Sequence, residues 1–171
     1  MRPRTLMASI AAVLMFAATP QPIGFAADEI ATPAAIIPAS TGEPMREVLI
    51  SSHPAEAPDR VFELIRVTVP ADAVLPVHFH PGDELATILT GSLVYHVVSG
   101  GSALLNHPDG TSQTGDPGDT LVLNAGDSLR EPAGMVHWAE NVSGAPVIFL
   151  AASLFEEGVP ASIPVEATPA T

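Results

Sequence analysis

"PVHFHPGDELATILTG", residues 76 to 91, holds two histidines separated by one residue, a Pro-Gly turn signal and two adjacent acids. Side chains on a strand alternate between its faces, so a strand here points His78 and His80 one way and Phe79 the other. The Pro81-Gly82-Asp83 run turns the chain, and Glu84 opens the next strand where its carboxylate can come back beside the imidazoles. Two readings are open on this stretch alone. One is a metal site built on His78, His80 and Glu84; the other is a polar corner with one histidine capping a loop and the other solvated.

Working outward, short runs rich in Val, Ile, Leu and Thr alternate with Gly, Pro, Asp and Asn punctuation, which predicts strands. They fall at 46–52, 60–70, 75–80, 84–91, 92–99, 103–106, 119–124, 128–132, 136–141 and 146–155. No window shows apolar residues at i, i+3, i+4 and i+7, so helix is scarce. Short strands at this spacing predict an all-β sandwich or barrel. The irregular piece from 99 to 119 reads as a hairpin and long loop, a natural rim over a pocket.

Composition narrows the chemistry. Cysteine is absent, which excludes disulfides, thiolate metal sites and a cysteine nucleophile; all six basic side chains are arginine, which excludes Schiff-base lysines. A formal net charge of −13 argues against nucleic acid and anionic membrane surfaces as partners. A small molecule, a cation or a second copy of the chain fits better.

Residues 1–26 begin with two arginines, run apolar from Leu6 to Ala18 and end on small residues at Gly24 and Ala26. That layout predicts a secretory signal peptide cleaved after Ala26, because the apolar run is too short for a membrane span. Cleavage leaves four arginines against 19 acids, a charge of −15, on an exported protein with no stable membrane insertion. Residues 27–44 read as a Pro/Ala-rich linker or arm, 45–158 as the folded domain, and 159–171 as a C-terminal tail, either loose or strapped over the domain.

A second stretch decides between the two readings of the first. "GDSLREPAGMVHWAEN", residues 126–141, carries Gly126, Pro132, Gly134, His137 and Asn141 in the spacing G-x5-P-x-G-x2-H-x3-N, while His78, His80, Glu84 and Gly91 follow H-x-H-x3-E-x6-G. Over about residues 60–155 the chain therefore resembles the cupin superfamily. One departure is Asp72, where a glycine is common; Asp also tolerates turn conformations. The resemblance implies a cupin-type double-stranded β-helix, or jelly-roll barrel. It also implies one divalent metal held by His78, His80, Glu84 and His137, with one or two positions left open for water or substrate. It favours Mn or Fe, while the donor set also accepts Zn, Cu, Ni or Co.

Other residues have plainer readings. In 92–99, Leu93, Tyr95 and Val97 share the apolar inward face, which places His96 outside and lets Tyr95 offer its hydroxyl to a ligand. His53 and His107 sit in Pro-flanked loops and read as solvated. Arg66 and the Arg130-Glu131 pair read as exposed ion pairs, and Phe79 and Trp138 as facing away from the site. Asn-Val-Ser at 141–143 has the form of a glycosylation acceptor, but Asn141 is already explained by the second motif.

Because this superfamily hosts several activities, fold and metal leave the function open. The leading expectation is an exported metal-dependent enzyme, oxygenase-type, acting on a small organic molecule with Glu84 and Tyr95 as catalytic candidates. The alternative is a non-catalytic module that binds a small ligand or a metal. Strand edges and outward apolar residues such as Phe79, together with the family likeness, suggest a homodimer.

Overall fold

The computed structural model describes residues 42–165. The expected signal peptide, most of the expected arm and the last six residues of the tail lie outside them. The described chain forms twelve strands: β1 (Met45–Ser52), β2 (Arg60–Val69), β3 (Val74–Phe79), β4 (Glu84–Thr90), β5 (Ser92–Ser99), β6 (Ala103–Asn106), β7 (Ser112–Gly115), β8 (Thr120–Asn124), β9 (Ser128–Glu131), β10 (Val136–Glu140), β11 (Val147–Glu156) and β12 (Ile163–Pro164). None of the described residues is helical. The ten expected strands are present with ends shifted by a residue or so, and β7 and β12 are additional.

All strand pairs are antiparallel. They form a seven-stranded sheet in the order β1-β2-β11-β4-β9-β6-β7 and a five-stranded sheet in the order β12-β3-β10-β5-β8. Period-two alternation explains this arrangement: β4 and β11 bury alternate residues, while those between are exposed in β4 and half-buried or exposed in β11. The buried set, including Val69, Leu105, Leu121, Leu123, Met135 and Val147, forms the core. Burying each large aliphatic side chain contributes about 1.5–3 kcal/mol. The 99–119 piece contains the β6–β7 hairpin, as its composition predicts.

Three local devices hold the ends of the site strands. Asp72 takes a left-handed conformation with φ 59°, the turn role inferred for it. Asn141 is fully buried, and its amide donates to the carbonyls of Val69 (3.0 Å), Pro70 (2.9 Å) and Ala145 (2.7 Å) while accepting from Ser143. It ties the end of β10 to the end of β2 and the approach to β11. Gly82 packs so closely on β11 that a Cβ there would lie 1.8 Å from the Leu154 carbonyl oxygen. Only glycine fits in the turn between β3 and β4.

The tail takes the strapped form as far as Val165. Ile163 and Pro164 pair with Phe79 and His78, so β12 covers the edge of β3. Phe79 is half-buried beside the strap.

Candidate metal centre

Two rows of side chains meet between the sheets. On the five-stranded sheet, His78 and His137 are directly opposite each other on β3 and β10. Beyond them, Tyr95 on β5 lies opposite Ala139 of β10. On the seven-stranded sheet, Ser153 of β11, Glu84 of β4 and Glu131 of β9 are successive cross-strand neighbours. His80, just past the end of β3, bridges the two rows.

The three imidazoles cluster tightly, with ring centroids 4.3 Å apart for His78–His137, 4.9 Å for His78–His80 and 5.2 Å for His80–His137. One ring nitrogen of each lies within 4.8 Å of the others, and His80, Glu84 and Glu131 meet the same condition. Backbone carbonyls orient all three rings: Nδ1 of His78 faces Pro76 O at 2.6 Å, that of His80 faces Ala161 O at 2.7 Å, and that of His137 faces Met135 O at 3.1 Å. In the neutral ring a proton on Nδ1 leaves the Nε2 lone pair for a metal, the arrangement that orients metal-ligating histidines.

The two histidine motifs are bolted together. Gly134 N–H donates to the His80 carbonyl at 2.8 Å, and Asp83 accepts from Ala133 N–H at 2.9 Å and from Arg130 at 2.6 Å. Asp83 thus fixes the Pro132-Ala133-Gly134 loop against the Pro81-Gly82 turn, and Glu84 alone of the two acids faces inward.

Glu84 and Glu131 occupy different positions. Glu84 accepts from Ser153 Oγ at 2.5 Å and stands 3.6 Å from His80 Nδ1. Glu131 Oε2 stands 3.2 Å from His80 Nε2 and 3.5 Å from His137 Nε2, on the side where the imidazoles have no other partner. This corrects the expectation of an exposed Arg130-Glu131 ion pair: Arg130 does pair with Asp83 at the surface, but Glu131 is only 5 % exposed. Alternation along β9 is the reason, since Glu131 shares the face of buried Leu129. That signal was present in the sequence.

The electrostatics follow from this crowding. Burial and the His137 charge push His78 down to about 4. His80 is raised to about 9, because the adjacent Glu131 and Glu84 carboxylates outweigh burial. Glu131 is likewise lowered to about 2 by His137 and His80 against the effect of burial, whereas burial and the Glu131 charge raise Glu84. Burial lowers His137. Tyr95 is 3 % exposed, stacks on His137 with centroids 5.2 Å apart, and is held firmly as the neutral phenol by burial and Glu131.

These groups line a cavity of about 220 Å³ whose other walls are mainly apolar, including Ile65, Ile88, Leu123 and Phe149. Met45 and Arg46 of β1 and Ala161 and Ser162 before β12 also line it. Arg46 is paired with Glu63.

The remaining histidines lie elsewhere. His96 is on the outer face as expected, stacked on Trp138 with centroids 3.7 Å apart and 3.0 Å from Thr120 Oγ1. His53 is exposed near Glu157. His107 is not merely solvated: its Nδ1 stands 2.8 Å from buried Asp127, so it anchors its loop. Arg66 makes the expected exposed pair with Glu47.

The family model described as "Cupin" matches residues 59–168. The chain is a cupin. No curated protein matches its sequence. Among solved structures it is similar to a protein with a double-stranded β-helix domain from Klebsiella pneumoniae, at 22 % identity over 74 % of this chain and 89 % of that one, with a TM-score of 0.43. It is similar to the polyketide cyclase RemF from Streptomyces resistomycificus at 22 % identity over 74 % of this chain and 73 % of that one, with a TM-score of 0.41. An oxalate decarboxylase from Lactobacillus farciminis matches at 19 % identity and a TM-score of 0.45 over 61 % of this chain, which spans 26 % of that enzyme. At these scores membership rests on the family match and on the double-sheet fold.

Proposed function

We propose that this cupin is an exported, metal-dependent enzyme of the oxygenase type that acts on a small, largely apolar organic molecule. The observation that carries the reading is the convergence of three imidazoles and two buried carboxylates on one wall of a mainly apolar cavity. The donor set fits a divalent ion. Buried carboxylates directly opposite each other on paired strands repel unless a cation or proton lies between them, and the Nε2 atoms nearby are free to coordinate. His78, His80 and His137 would hold the ion with Glu84, and Mn or Fe suits the reaction class.

A divalent metal held there supplies Lewis acidity and, with Mn or Fe, a redox couple. The chain supplies the rest. The apolar walls exclude water and select substrates by shape. Tyr95 offers a neutral hydroxyl next to His137, a donor for a substrate oxygen. Glu84, on its Ser153 tether and with its proton affinity raised, serves as the base for a substrate proton.

Export is supported by the leader-like pattern of residues 1–26. A homodimer is supported by the outer face of the seven-stranded sheet, where Phe62, Leu85 and Leu154 are exposed on neighbouring strands. A non-catalytic binding module is the second reading, favoured by the small number of acid and base groups reaching the cavity. Elemental analysis of protein purified from its native compartment, followed by identification of any retained small molecule and by oxygen-uptake assays with it, tests the proposal. Stoichiometric Mn or Fe and oxygen consumption are expected. A stoichiometric metal with a ligand retained unchanged favours the binding module.

A further inference from the structure

We infer that Glu131 is a second carboxylate ligand of the metal centre, making the donor set three imidazoles and two carboxylates. The inference rests on the proposed metal centre and adds a residue that the two cupin motifs leave unassigned. Three observations carry it. First, Glu131 and not Glu84 has its oxygen beside the Nε2 atoms of both His80 and His137, at 3.2 and 3.5 Å. Ligand atoms about 2.0–2.2 Å from one ion are separated by about 3 Å when they bind at right angles. Second, Glu131 Oε2 is buried and makes no hydrogen bond of good geometry, and the Tyr95 hydroxyl is likewise without one. In the metal-free chain only the His80 and His137 imidazoles and the Tyr95 hydroxyl face this buried oxygen, and a cation held between it and the two imidazoles would pair it directly. Third, the register places Glu131 directly opposite Glu84, so two acids face each other inside the barrel. Among the described residues the cationic groups nearest them are the imidazoles; Arg46 at the cavity wall is engaged by Glu63, and Arg130 points outward to Asp83.

The consequence is chemical. Two carboxylates would cancel the formal charge of a divalent ion, so the centre would present a neutral face to the cavity. Such a set suits Mn or Fe better than a four-coordinate preference such as that of Zn.

The test is metal titration of metal-free wild type, Glu131→Gln, Glu84→Gln and Arg66→Ala, with Mn²⁺ for affinity and Co²⁺ for its absorption spectrum. Loss of a residue that only orients a ligand typically weakens metal affinity about 10–100-fold, so Glu131→Gln is expected to lose about 100-fold or more. It should also shift the Co²⁺ bands, while Arg66→Ala, which removes only an exposed pair with Glu47, changes neither. If Glu131→Gln does not fold, Glu131→Asp carries the test, with weaker binding and shifted bands expected. Wild-type affinity with an unchanged Co²⁺ spectrum in the Glu131 variant overturns the assignment. If His137→Ala nevertheless abolishes binding, the metal centre survives and only the role of Glu131 fails; a wild type that binds no metal overturns both.

Discussion

Replacing Asn141 with alanine tests whether the second motif works as a brace. The amide donates to Val69, Pro70 and Ala145 carbonyls and accepts from the Ser143 N–H and hydroxyl, all from a side chain with no exposure. In Asn141→Ala, Ser143 and Ala145 are in an exposed turn and recruit water. The Val69 carbonyl loses the amide donor, and the Pro70 carbonyl keeps only the 3.2 Å bond from Ala73. Loss of the amide donor at these two buried carbonyls costs about 2–4 kcal/mol. Urea unfolding of the metal-free protein should move to lower denaturant by roughly 1–3 M at an unchanged slope of about 1–3 kcal/mol/M. Asn141→Asp, which sets an anion against three carbonyls, should lose at least as much. A loss below about 0.5 kcal/mol, the size of an ordinary surface substitution, would refute the brace.

Two further outcomes follow from the same geometry. Gly82→Ala drives a Cβ into the Leu154 carbonyl, and since backbone cannot yield cheaply the expected loss is about 4 kcal/mol or more, or else a displaced turn with weakened metal binding; wild-type unfolding together with wild-type metal affinity contradicts this. In metal-free protein, His80, raised to about 9, contributes stability that is full below pH 6.5 and lost as pH rises through 9. His78, lowered to about 4, leaves the unfolded chain to take up the proton first, so stability falls as pH drops from 6.5 towards 4. Histidine NMR titration should find one resonance moving near 4 and another near 9. Both moving near 6.5 would contradict the crowding described.

The strand pattern was legible because this barrel is built almost wholly from period-two alternation, with Gly, Pro and Asp marking the turns. β7 escaped detection because Ser112–Gly115 has no aliphatic residue, and β12 because a two-residue strap containing proline gives no periodic signal. At the site, His78, His80, Glu84 and His137 were implied by the resemblance to the cupin motifs, and the structure brings all four to one cavity with Tyr95. Glu131 was misread for a physical reason. An acid beside an arginine is ordinarily a surface pair, whereas here the strand splits the two, sending Arg130 to Asp83 and Glu131 inward beside Leu129's face. The Ala161 carbonyl that orients His80 lies 81 residues away and could be found only in three dimensions.

Calorimetric titration of Mn²⁺ or Fe²⁺ into the metal-free protein, with thermal unfolding of the same samples, tests the central claim most directly. The account predicts one ion per chain and a rise in melting temperature that grows with metal concentration; both should be lost in His78→Ala and His137→Ala. Wild-type protein that takes up no stoichiometric metal, or histidine variants that bind it as tightly, would contradict the account.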